Sequence, residues 1–225
     1  MIMEKDFRKF FKSRHPYGMT AFDAMMSNPS NSLTPYILEE REMNLATLDI
    51  YSKMLYERTI FFGHEVNSET SNLVISQLLY LESTGDEPIK LMINSPGGEI
   101  ISGMGIVSTM EFIKPEVHTI NVAMAASMGS ILLAAGEKGH RSALKYSRVL
   151  LHQPLGGAKG QCSDIMIEAE LISKMRTELF TFLSERTGQP FEKIMKDGDR
   201  DYWLTAPEAL EYGIVDKIIE KSTEK

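Results

Sequence analysis

Apolar positions recur at three- and four-residue intervals over two stretches, first Ile50, Met54 and Leu55, then Leu73, Ile75, Leu78, Leu79 and Leu81. That period predicts two helices facing a core, with Thr59-Ile60-Phe61-Phe62 between them as a short buried strand. From residue 89 the chain alternates. A strand over 89–93 leads through Pro96-Gly97-Gly98 into a helix over 99–113, which Pro115 stops. A strand over 117–123 leads into a helix over 128–135, which Gly136 stops, and a strand follows over 148–151. Strands alternating with helices of this length form crossover units, so the fold class is α/β. Ile165, Ala169, Ile172, Met175, Leu179 and Leu183 then keep helical spacing along residues 161–186, with Gly188 as terminator. At 26 residues this helix is about twice the usual length. It either projects toward a second subunit or is an ordinary long core helix. Thr205, with Glu208 three residues on, forms a capping box, and Gly213 leads into a last strand over 214–219.

Residues 19–32 are an aperiodic run of Met, Asn, Ser and Pro ending Asn28-Pro29-Ser30-Asn31-Ser32, so the folded domain is expected to begin at 32. With 225 residues, 43% apolar and 24% charged, the chain is long enough for a proper core, and it is neither disordered nor a coiled-coil rod. Its net charge of −7 opposes general nucleic-acid binding. A single cysteine, Cys162, excludes an internal disulfide and a Cys-rich zinc module, and is taken as structural. No apolar run approaches the roughly 18 residues of a membrane span, and the basic N-terminus has no apolar segment behind it to make a secretion signal.

The chain has no phosphate loop, no His-Glu-x-x-His and no dinucleotide fingerprint, and its five histidines are scattered, so neither a metal nor a cofactor is expected. Ser127, in Ala125-Ala126-Ser127-Met128-Gly129, should start a short buried helix, where free N–H groups favour an alkoxide or oxyanion. It is either a nucleophile or a plain N-cap. The Gly98 and Met128 N–H groups could pair as an oxyanion hole, although a simple turn accounts equally for Gly97-Gly98. His152 ends an apolar strand as a general base or as a structural histidine, and Asp201, beside Tyr202 and Trp203, is either solvated or an orienter of an imidazole.

Four blocks carry a resemblance: Ile93-Asn94-Ser95-Pro96-Gly97-Gly98; Ala125-Ala126-Ser127-Met128-Gly129; His152-Gln153-Pro154-Leu155-Gly156-Gly157; and Arg200-Asp201 with Leu204-Thr205-Ala206-Pro207-Glu208-Ala209. In order and spacing, over about residues 32–219, they resemble the ClpP family, the proteolytic subunits of Clp proteases. The resemblance implies a ClpP/crotonase-like fold of repeated ββα and βα units with a projecting handle helix, at about 155–187. It implies a serine endopeptidase in which Ser127 is nucleophile, His152 base and then acid, Asp201 orienter, and Gly98 and Met128 the oxyanion-hole donors. Substrate would lie as an added strand against Gly98 to Ile100 and Leu155 to Gly157.

The same resemblance implies two stacked heptameric rings, with Arg200 at the ring contact, and a hexameric AAA+ unfoldase such as ClpX, ClpA or ClpC, which hydrolyses the ATP and delivers unfolded proteins. Docking would use Met92, Phe112, Ile120, Val122 and Leu144; Lys90 stands where many relatives have an aromatic residue. Residues 1–31 would be a propeptide cleaved near Asn31-Ser32, and the bacterial cytosol is the implied home, with an organelle as the alternative. Two other readings stay open: a crotonase-type acyl-CoA enzyme, which has no need of the Ser, His and Asp set, and an inactive scaffold subunit of a Clp ring.

Overall fold

The computed structural model describes residues 36–41, 44–157 and 159–220, and the expected cleavage site at Asn31 and Ser32 lies outside them. The chain divides into two units, 1–53 and 54–225. In the first, β1 (Tyr36–Arg41) and β2 (Asn44–Asp49) form an antiparallel hairpin that the hydrophobic pattern did not reveal. Helix α1 (Ile50–Tyr56) follows at once. Asp49 starts it, accepting from the Tyr51 and Ser52 N–H groups at 3.0 and 3.1 Å and from the Ser52 hydroxyl.

The second unit is built on a seven-stranded sheet. Strands β3 (Thr59–Phe62), β4 (Ile89–Ser95), β5 (Val117–Ala126), β6 (Ser142–Leu144) and β9 (Lys217–Ile219) lie side by side, all parallel. The far end of β5 leaves β6 and pairs instead with β7 (Arg148–Leu151), which in turn pairs antiparallel with β8 (Tyr202–Thr205). Helices α2 (Ser68–Thr84), α3 (Ile100–Phe112) and α4 (Met128–Ala134) make the crossovers between β3, β4, β5 and β6. The expected α/β class with crossover units therefore holds. Strand β4 shows why: Ile89, Leu91 and Ile93 are fully buried, while Lys90, Met92 and Asn94 alternate to the other face.

Several elements differ from the pattern. On α2 the buried positions are Ser71, Val74, Leu78 and Leu81, while Leu73 and Leu79 are exposed. The core meets a narrower stripe than the apolar positions mark out. Strands β6 and β8 and helix α6 (Phe191–Asp197) are too short to show a period, and β9 begins only at Lys217, after the buried Ile214 and Val215. The last helix, α7 (Ala206–Tyr212), has the expected capping box of Thr205 and Glu208.

Helix α5 (Cys162–Thr187) is the long helix, ended by Gly188 in the left-handed conformation. Residues 155–157 and 159–160, at the start of the expected handle, are irregular. Every residue from Cys162 to Leu171 is exposed, while Leu179, Phe180 and Leu183 are buried in the core and Phe182 packs against it. The helix therefore projects, and the core-helix alternative fails. Cys162 is an exposed thiol, so it has no packing role of the kind expected. Among the described residues no helix is long and apolar enough to cross a membrane.

Candidate active site

The carboxyl ends of β4, β5 and β7 meet where the sheet changes partner, the place in an open parallel sheet where loops converge on a ligand. Between β5 and α4 the chain turns sharply through Ser127, whose φ of 52° and ψ of −122° are unusual for a residue with a side chain. Neighbours hold it there. Its N–H donates to the Leu150 carbonyl at 2.9 Å, and its own carbonyl accepts from the Ser130 N–H at 2.9 Å and the Ser130 hydroxyl at 2.6 Å. Strain persists only where the surroundings over-determine it, as they do here. The Ser127 hydroxyl makes no capping bond, so the plain N-cap reading fails.

Gly97 lies against this turn. A Cβ there would sit 2.6 Å from both Ser127 Cβ and the Ala126 carbonyl oxygen, and 2.9 Å from the Met128 nitrogen. Next to it, Val66 donates to the Gly97 carbonyl at 2.7 Å and accepts from the Glu99 N–H at 2.8 Å, forming a parallel bridge to Gly98. In such a bridge the N–H and C=O of the bridged residue itself face the other way. Gly98 thus turns both groups from Val66 toward an open strand edge, and a Cβ would strike the Val66 carbonyl at 2.0 Å.

His152 follows β7 directly, and Asp201 precedes β8. Because Leu151 pairs with Tyr202, residues 152 and 201 face each other one step beyond the last rung. His152 Nδ1 lies 3.2 Å from Asp201 Oδ1, with the imidazole 17% exposed and the carboxylate 66% exposed. Asp201 is not set among buried aromatics as its neighbours suggested, since Trp203 is half exposed. Gln153 fixes the same loop by donating to the Asp199 carbonyl at 2.9 Å.

Ser127 and His152 line one cleft, together with Ile100, Met128, Pro154 and Leu179. No hydrogen bond joins the Ser127 hydroxyl to His152, so the fold brings base and orienter into contact and leaves the serine across the cleft from them. Leu155 and Gly157 are exposed in the irregular segment after His152 and belong to no strand. Arg200 is exposed beside Asp201.

Of the expected docking residues, Met92 and Ile120 pair in register on one sheet face, with Val122 farther along β5 and Leu144 on neighbouring β6, all half-buried. Phe112, at the end of α3, is 76% exposed. Lys90, also exposed, pairs in register with His118.

Sequence reasoning missed two supports of the site, Val66 and Ser130. Each acts through a backbone group or a hydroxyl aimed at a backbone group, which no local motif marks. The histidines are also less scattered than the sequence suggests: His118 and His140 stack at 3.9 Å between ring centroids, well away from His152 in the fold's connectivity.

The profile of the Clp protease family matches residues 40–222. A relative from Bacteroides fragilis, named "ATP-dependent Clp protease proteolytic subunit", is 46% identical over 96% of this chain and 99% of its own length. One of the same name from Porphyromonas gingivalis is 46% identical over 96% of this chain and 98% of its own. A Prochlorococcus marinus relative, "ATP-dependent Clp protease proteolytic subunit 1", is 50% identical over 86% of this chain and 100% of its own.

Proposed function

The chain belongs to the Clp protease family and is a serine peptidase; on that premise we propose that Ser127, His152 and Asp201 are its triad. The observation behind this reading is the Ser127 turn: a strained, uncapped serine beside a glycine turn, in the same cleft as an imidazole tied to a carboxylate. Asp201 accepts from His152 Nδ1–H, which leaves the Nε2 lone pair free for the serine. His152 takes the hydroxyl proton as Ser127 Oγ attacks the peptide carbonyl, then gives it to the leaving amine; water releases the acyl group by the same steps. The N–H groups of Gly98 and Met128 hold the oxyanion. An extended substrate pairs with the outward edge at Gly98 to Ile100, and Leu155 to Gly157 close over it. Main-chain pairing of this kind reads few side chains.

The working particle is two stacked heptameric rings in the bacterial cytoplasm, with α5 and Arg200 at the ring contact. An AAA+ unfoldase docks on Met92, Phe112, Ile120, Val122 and Leu144, spends the ATP and feeds unfolded protein, and the chain needs no cofactor of its own. Residues 1–31 are removed near Asn31-Ser32. Ser127→Gly and Ser127→Ala variants remain assembled on this reading, since neither touches the contact surfaces.

Intact mass before and after a fluorophosphonate probe tests nucleophile and processing together. A single adduct, absent from Ser127→Ala, on a chain beginning near Ser32 is the expected result. An adduct that survives in Ser127→Ala would overturn the assignment of the nucleophile, and an active particle retaining residues 1–31 would overturn the processing site.

A further inference from the structure

Away from the cleft, three side chains with metal-binding atoms converge: Glu116 just before β5, His118 on it, and His140 in the loop before β6. Their ligand atoms all lie within 4.8 Å of one another, the one such group among the described residues. His118 Nε2 lies 3.0 Å from Glu116 Oε2. The two imidazoles are parallel to within 9°.

We infer that Glu116, His118 and His140 form a site for a divalent transition ion of the zinc, nickel or copper class. The donor set is the first reason, since two imidazoles and a carboxylate suit these ions and leave positions open to water. Distance is the second. Bonds of about 2.0–2.2 Å to nitrogen and oxygen, at an angle near tetrahedral, require the two atoms to be roughly 3.3–3.5 Å apart. His118 and Glu116 stand at 3.0 Å, so a shift of a few tenths of an ångström replaces the shared proton by the ion, and a rotation that unstacks His140 supplies the third bond.

The stack itself points the same way. The two rings lie face to face at 3.9 Å, so the atoms that would bind the ion already stand close together. The backbone on all sides is already fixed, so little order remains to be lost on binding. Glu137 N–H donates to the Val117 carbonyl at 2.8 Å and His140 N–H to the Glu137 carbonyl at 2.9 Å. On either side of His140, Gly139 and Arg141 donate their N–H groups to Asp216 Oδ2 at 2.8 and 3.0 Å. The site lies on the sheet face that carries Met92 and Ile120, one inward residue along β5 from Ile120. An ion there would place positive charge at the border of that half-exposed strip.

The inference is independent of the peptidase assignment. Its test is a titration of chelator-stripped, full-length assembled protein with Zn²⁺ in competition with a chromophoric chelator. One ion per chain is expected, with affinity falling by roughly tenfold or more in His118→Asn and in His140→Asn, and by a smaller factor in Glu116→Gln. His64→Ala and His152→Ala should bind as the parent does. X-ray absorption at the zinc edge should show two imidazole nitrogens in the parent and one in either Asn variant. Parent protein that takes up no ion, or Asn variants that bind as tightly as the parent while keeping their unfolding temperature, would overturn the site. Loss of the ion in His152→Ala alone would move it to the cleft and overturn it equally.

Discussion

At Ser127 the backbone conformation makes two substitutions diverge. The φ of 52° and ψ of −122° belong to glycine's range, and holding a side chain there costs about 1–3 kcal/mol. Ser127→Gly should relieve that strain, offset in part by the ~0.5–1 kcal/mol that glycine loses through its freer unfolded chain. A small rise in unfolding temperature with complete loss of peptidase activity is expected. Ser127→Ala should lose activity with stability almost unchanged, because no capping bond is lost; a true N-cap would cost about 0.5–2 kcal/mol. Thermal unfolding of both variants distinguishes the two cases. Asp201→Asn should lower kcat by roughly three to four orders of magnitude with little change in KM, because the amide favours the wrong imidazole tautomer. Steady-state kinetics on a fluorogenic peptide would check it, and a loss below tenfold would mean that Asp201 does not orient His152. From sequence alone, Ser127, His152 and Asp201 could be chosen as candidates by residue type and neighbours. The strain at Ser127, and the partners Leu150 and Ser130 that impose it, depend on tertiary contacts and leave no local trace.

Among the elements, β6, β9 and α5 are held by one polar link that no periodicity marks. Arg141, 4% exposed at its side chain, pairs with Asp216 through Nη2 at 2.6 Å and Nε at 2.9 Å, and donates through Nη1 to the Arg186 carbonyl at 2.8 Å. It thereby ties the loop before β6 to the segment before β9 and to the last turn of α5. Burial raises the Asp216 pKa, but hydrogen bonds and charge from Arg141, with the Gly139 N–H, outweigh it and hold the carboxyl below its usual value. The sign follows from linkage: a depressed carboxyl adds stability that is fully present above the unfolded value near 3.9 and fades as pH falls through the lower folded value. Asp216→Asn should therefore destabilise by about 3 kcal/mol at pH 7, since it leaves the buried Arg141 guanidinium charged and without its counter-charge. The gap to the parent should narrow below about pH 4. Urea unfolding of both proteins at pH 7 and in the acid range measures it, and a gap that does not change with pH would refute the linkage. Long elements were legible in the sequence, α5 by its helical spacing and α3 by the Gly97-Gly98 turn before it and Pro115 after it. Strands of three or four residues, such as β6 and β8, were not, because pairing partners rather than their own pattern define them.

At the scale of the whole molecule, α5 leaves an apolar surface that a lone chain has no reason to expose. Ile165 is 40% exposed, Met166 67%, Ile167 66% and Leu171 42%, on a stretch where every neighbour is also exposed. Scattered apolar residues on a surface are ordinary, but four within seven positions of one projecting helix form the kind of patch that marks an interface. Helical spacing showed that 161–186 would be one helix; only its exposure decides between projection and burial. The core end of the same helix, at Leu179, Phe180 and Leu183, is separate from this patch. Met166→Glu with Ile167→Glu should therefore leave the fold of each chain intact and break the proposed contact between rings. Sedimentation velocity should show a double ring in the parent and single rings or smaller species in the variant, with far-UV circular dichroism unchanged. Peptidase activity should fall with the double ring, if the neighbouring ring holds Arg200 and so the loop that carries Asp201. A variant that remains fully double-ringed would show that this surface is not the contact. A variant that separates but keeps full activity would show that assembly and the alignment of Asp201 with His152 are independent.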